Sequence, residues 1–260
     1  MSDARLMERL HVTLKQRAEQ TTVTQLVLGL GYTAVLLKDG GAGIAYTWTD
    51  GGSGCSHEHG WGDAEGAPAS GLLDLLLAGG GLSRSVGMAT ANALNHAAAI
   101  QLPEDDGPAG SLIRQLDITR GTRVSMVGFF PPVARVLGDL GAELDIVDDA
   151  KGMGDRGSFV ERLREWPQVL IVTSTALLGG TVDELLAAAG PSTRIALLGP
   201  TTPLLPEIFE GTRVELLGGM VPRDVDGVLR TVRHGGGTRD FSSCCRKVYC
   251  VLGQGVGGGA

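Results

Sequence analysis

The chain has 260 residues, 43% of them apolar, which is enough for one large domain or two small ones with a real core. Its formal net charge is −7 and its basic residues are scattered, which argues against nucleic acid, whose phosphates need a positive surface. No apolar run reaches the length of a membrane span, and the charged start MSDARLMERLHVTLKQRAEQ lacks a signal-peptide core, so a cytoplasmic location is expected.

Residues 3–20 read as a helix, because Leu6, Leu10 and Leu14 repeat along one stripe. Three short apolar runs follow in QLVLGLGYTAVLLKDGGAGIAYTW. They are cut by Gly29-Leu30-Gly31 and Asp39-Gly40-Gly41, and predict a small antiparallel meander with Asp-Gly as its hairpin signal. Residues 49–69 are Gly-rich and polar and read as a loop. Gly71–Ala78 and Arg84–Ile100 read as helices, and the second carries Ala89, Ala93 and Ala97 as a face for very close packing.

A Pro-, Gly- and acid-rich stretch over 101–122 marks a boundary near residue 105, with a short helix near Leu112–Leu116. This gives an N-terminal α+β domain over 1–104, an α/β domain over 105–252 and a flexible tail over 253–260. Beyond the boundary, runs at 123–129, 143–149, 168–174, 194–200 and 213–219 alternate with helical stretches at 131–140, 157–165, 181–189, 203–210 and 224–233. Val- and Ile-rich runs without polar alternation suit strands buried on both faces, and the alternation predicts a doubly wound, mostly parallel sheet. KVYCVL at 247–252 reads as an added edge strand.

Gly29-Leu30-Gly31-Tyr32-Thr33-Ala34 fits a dinucleotide fingerprint, but a strand-like run follows it where the motif needs a helix, so it is rejected. The strand ends carry the better signal, because ligands of open α/β sheets lie outside the carboxyl ends of the strands. Those ends read Gly128-Phe129-Phe130-Pro131, Asp148, Thr173-Ser174-Thr175, Gly199-Pro200-Thr201-Thr202 and Gly218-Gly219. Asp148 stands where nucleotide-binding sheets keep an acid for ribose hydroxyls, whereas the bulky Phe-Phe-Pro-Pro turn disfavours a pyrophosphate. The plain alternative is that these are ordinary turn and cap residues. Asn92, in the small-residue helix, either ties two domains together or faces a ligand between them; Asn95 and His96 follow it.

Cys55-Ser56-His57-Glu58-His59 is the densest set of soft donors, with Cys55, His57 and His59 as candidate ligands for Zn, Cu or Ni. The spacing matches no established zinc motif, and a solvated loop is the plain alternative. Cys244, Cys245 and Cys250 read as buried or incidental thiols.

Two groups of segments together carry a family resemblance. The first is LVLGLGYTAVLL, GGAGIAYTW and LSRSVGMATANALN; the second is VSMVGFFPPVARVL, VLIVTSTALLGGTVDELL and LLGPTTPLLPEIFEGTRVELLGGMVPRDVDGVLRTVRHGG. They resemble the heavy-metal chelation family of domains of unknown function, over roughly residues 22–237. The resemblance implies an enolase-N-terminal-like domain followed by a Rossmann-like domain. It also implies a site in the cleft between them, which here maps onto the Asn92 helix, Gly128–Pro131, Gly199–Pro203 and Gly218-Gly219. The expected ligand is a small molecule or a metal chelate. The rival expectation is an enzyme acting on a small polar or S-adenosylmethionine-type substrate, with a binding module as a third. Neither a nucleic acid nor a membrane partner is expected, and the short apolar helices permit a homodimer.

Overall fold

The computed structural model describes residues 3–49, 61–77 and 80–253. Helix α1 (Asp3–Glu19) buries Leu6, Leu10 and Leu14. It leads into an antiparallel meander of β1 (Val23–Leu28), β2 (Tyr32–Leu37) and β3 (Ala42–Tyr46). The Asp39-Gly40 turn forms as expected, with Gly40 at φ +86°. The segment after Gly29-Leu30-Gly31 is strand β2, so no helix follows to hold a phosphate.

Helices α2 (Ala69–Leu73), α3 (Gly81–Leu94) and α4 (His96–Ala99) complete this layer. The expected single helix over 84–100 is divided at Asn95, whose side chain leaves the helix face to bond Leu204 O at 2.8 Å. The small-residue face of α3 meets β3. A Cβ at Gly43 would lie 2.2 Å from Ala89 O and from the Ala93 amide nitrogen, so only glycine allows this approach.

Helix α5 (Gly110–Gln115) opens the second layer. Then β4 (Arg123–Val127), α6 (Pro131–Leu140), β5 (Glu143–Val147), α7 (Arg156–Arg162) and β6 (Val169–Thr173) alternate. They continue with α8 (Thr175–Leu178), α9 (Val182–Ala188), β7 (Arg194–Leu198), β8 (Val214–Pro222), α10 (Val225–Arg233), α11 (Thr238–Phe241) and β9 (Cys245–Val251). The sheet order is β5-β4-β6-β7-β8-β9, with five parallel strands and an antiparallel β9. This is the small α+β layer followed by a doubly wound, mostly parallel Rossmann-like sheet.

Along β6, Val169 and Ile171 join one apolar cluster and Leu170 and Val172 another, so both faces are buried and polar alternation is absent. The second cluster is continuous with Leu10, Leu14, Val35 and Leu94 of the N-terminal layer. The expected helix over 203–210 shrinks to a 3-10 turn at Pro206–Phe209, since Pro203 and Pro206 interrupt a helical hydrogen-bond ladder. The acid-rich connection runs beside β9, where Asp105 donates its amide to Lys247 O at 2.8 Å and Tyr249 donates to Pro103 O at 3.0 Å. That pairing covers a sheet edge otherwise open to other chains.

Candidate functional site

The chain runs from β4 to β5 on one side and then returns to the other side of β4 as β6. Strand order therefore reverses between β4 and β6, where a crevice opens at the carboxyl ends of such sheets. The strand ends expected from the sequence separate into two halves around this point.

The first half surrounds the reversal. Gly128, Phe129 and Phe130 are half-buried and Pro131 is exposed. Thr173 and Thr175 are half-buried, with their hydroxyls 3.0 Å apart. Ser174 between them is fully buried and its Oγ has no hydrogen-bond partner, an uncommon condition for a buried polar atom. Gly128 (φ +81°) and Gly199 (φ +134°) adopt conformations that favour glycine. A Cβ at Gly128 would lie 2.9 Å from the Thr173 side chain, and one at Gly199 would lie 2.5 Å from Ser174 Oγ. Both glycines are thus required by the approach of the strand ends to each other. The N-terminal layer borders this half through Trp48, whose ring lies 3.0 Å from where a Gly179 Cβ would sit.

Backbone donors are scarce here. Gly128 donates its amide to Val147 O, Phe129 to Asp148 Oδ2, Ser174 to Leu198 O, Thr175 to Thr173 Oγ1 and Gly199 to Gly218 O. Pro131 and Pro132 open α6 and carry no N–H. Phosphate sites of this fold class are built from several free amides at such a turn. Here the Gly128 and Phe129 amides are already bonded to the protein itself.

Asp148 is buried and accepts from the Phe129 amide at 2.8 Å, the Lys151 amide at 3.1 Å and Lys151 Nζ at 2.6 Å. Burial pushes its carboxyl up, but the Lys151 ammonium and the two amides outweigh burial and hold it below the ordinary range. Lys151 Nζ also donates to Phe129 O at 3.3 Å and stands 5.6 Å from the Phe129 ring centroid. Sequence reasoning missed Lys151, although its place three residues after Asp148 is what a tight turn needs for an ion pair.

The second half lies under the N-terminal layer. Thr201 and Thr202 are buried at 0% and 2% exposure. Thr201 Oγ1 accepts the Tyr46 amide at 2.9 Å, and Thr202 Oγ1 donates to Gly218 O at 2.9 Å. Asn92 Nδ2 donates to Ile44 O at 2.9 Å and to Thr201 O at 3.4 Å, bridging the two layers. His96 Nε2 lies 2.8 Å from Pro222 O. The cavity between Asn92, Asn95, Thr202 and Leu204 has a volume of about 10 Å³, room for about one water. Gly218 and Gly219 are not at a strand end as expected; antiparallel pairing with β9 carries β8 on to Pro222.

Among the described residues, no three His, Cys, Asp or Glu side chains converge as a metal cluster. Cys55, His57 and His59 lie outside the described residues. Cys244, Cys245 and Cys250 are free thiols. Burial, with Cys244 adding to it, pushes Cys245 up to about 12, and burial also raises Cys250, so both stay protonated and unreactive at neutral pH.

Two family models sharing the description Putative heavy-metal chelation match the chain, DUF364 over residues 111–251 and DUF4213 over residues 11–95. The chain belongs to the DUF364 family. Two solved structures of DUF364 proteins of unknown function share its fold. The protein from Pyrococcus horikoshii is 23% identical, with a TM-score of 0.78 over 95% of this chain and 100% of that one. The protein from Desulfitobacterium hafniense is 20% identical, with a TM-score of 0.75 over 94% of this chain and 97% of that one. No curated protein matches the chain. Among the described residues of this DUF364 protein, no helix is long and apolar enough to cross a membrane.

Proposed function

We propose that this protein binds a small molecule or a metal chelate in the crevice at the ends of β4 and β6, beside the N-terminal layer, and handles heavy metal in that form. The observation that supports this most is the strand-order reversal whose rim stays half-open, while the neighbouring rim at β7 and β8 is filled. A chelate suits a rim of hydroxyls, rings and one ammonium better than a bare ion does, because the described residues offer no converging set of metal donors. Direct donors, where the protein itself takes the ion, are Cys55, His57 and His59.

Metal analysis of the purified protein, with melting curves in Zn, Ni or Cu salts and in their citrate chelates, tests the reading. A melting temperature that rises with chelate concentration supports it. Retained metal that is lost in Cys55→Ser/His57→Ala assigns the ion to those donors. Absence of retained metal, and no response to any salt or chelate, removes the metal reading.

A second reading is an enzyme acting on a small polar or nucleotide-like substrate of S-adenosylmethionine type. The bonded Gly128 and Phe129 amides of the first βα turn disfavour a phosphate-bearing nucleotide beside it. Stabilisation by S-adenosylmethionine without stabilisation by metal chelates would select it.

A further inference from the structure

The proposed crevice offers hydroxyls and rings, but the charge of a ligand must also be met. We propose that Lys151 reads a carboxylate on the bound small molecule, with Asp148 as the residue that positions it; this rests on the crevice reading above. Three observations lead there.

Lys151 Nζ is fixed over the first βα turn by Asp148 Oδ2 at 2.6 Å, by Phe129 O at 3.3 Å and by the face of the Phe129 ring at 5.6 Å. An ammonium carries three N–H donors, so one remains for a ligand. The side chain of Lys151 is half exposed, whereas that of Asp148 is 9% exposed. The cation is therefore within a ligand's reach and its counter-ion is not. Asp148 is also neutralised from behind by the Phe129 and Lys151 amides, which leaves the ammonium less fully compensated than in a simple pair.

The third observation is the amide shortage. With Gly128, Phe129, Ser174, Thr175 and Gly199 already bonded and two prolines opening α6, few backbone amides are left for an anionic group, and the nearby side-chain cation is its strongest partner. One lysine, acting as a point charge on a flexible stem, is enough to pair a single carboxylate. Phosphate sites of this fold class gather several converging donors, and few are free at this turn. Carboxylate chelators of transition metals, such as citrate, and S-adenosylmethionine share this group, so the same contact serves either ligand class. The plain alternative is that Lys151 only staples the loop after β5.

The chain has four lysines, so selective ¹³C labelling of lysine gives one Cε signal for each. The labelled full chain, also amide-labelled, is titrated with citrate, with 5′-methylthioadenosine, which lacks a carboxylate, and with inorganic phosphate at matched ionic strength. Citrate is expected to shift the Lys151 signal saturably while phosphate does not. Lys151→Gln is expected to weaken citrate binding about tenfold and Lys151→Arg to restore most of it. Unchanged citrate affinity in Lys151→Gln, with a lowered melting temperature, makes Lys151 a loop staple and overturns the proposal. So does a parallel, non-saturating shift of all four lysines. If 5′-methylthioadenosine moves the Thr173 and Thr175 amides while citrate leaves Lys151 still, the carboxylate falls and the crevice stands. Silence of Lys151 and of both amides to every probe overturns the two together.

Discussion

Thr173-Ser174-Thr175 and Thr201-Thr202 are both hydroxyl-bearing and lie at the ends of neighbouring parallel strands, yet they do opposite work. The second pair is sealed beneath the N-terminal layer, its hydroxyls committed to the Tyr46 amide and to Gly218 O. The first group keeps two hydroxyls at a half-open rim and a third with no partner. On the proposed reading, a strand end in this sheet can take a ligand only where the second layer stops short of it. One half of the rim is a joint, and the other is what the joint leaves uncovered.

The largest test of that contrast falls on its border. Gly199→Val combines a φ of +134° with a Cβ only 2.5 Å from Ser174 Oγ, and should cost about 3 kcal/mol of folding stability. A urea midpoint unchanged from wild type would show that the strand ends have slack and are not set by close approach. Next, Asn95→Ala strips the bond to Leu204 O from a buried joint and should cost about 2 kcal/mol. Chelate binding by the folded fraction should stay the same; a weakened affinity at full folding would move the site into the joint.

Asp148→Asn is expected to cost about 1 kcal/mol at neutral pH, since Lys151 is half exposed and the pair is screened. The carboxyl is depressed in the folded state, so its contribution is complete above the unfolded value of about 4 and disappears as pH falls through the lower folded value. Wild-type and variant stabilities should converge in acid, and a gap that persists there would deny the ion pair its role. The smallest effect is Thr175→Val, with stability within about 0.5 kcal/mol of wild type but weaker chelate binding in titration calorimetry. Equal binding would take the Thr175 hydroxyl out of the open half.

Fold class was legible because its signals are local. The unalternating apolar runs gave five parallel strands, and Asp39-Gly40 gave a hairpin. The small-residue face at Ala89 and Ala93 announced a close approach that Gly43 completes. The division of the rim was not legible, because it depends on how far the N-terminal layer reaches over the sheet. Asn92 illustrates this. Its amide was visible as a group in need of partners, but that those partners are Ile44 O and Thr201 O is a fact about packing between distant segments. Gly218-Gly219 misled for a similar reason, since the strand continues past them only because β9 pairs there. Asp148 was visible as an acid, and its engagement by Lys151 was within reach of the sequence through their spacing.

The apolar cluster that passes without interruption from α1 and α3 into β6 and β7 has a consequence for how the molecule comes apart. Severing the chain near residue 105 would leave each fragment with a raw hydrophobic surface of its own. The two halves should therefore melt as a single cooperative unit, and a calorimeter should record one heat-absorption peak from a chain whose sequence reads as two modules.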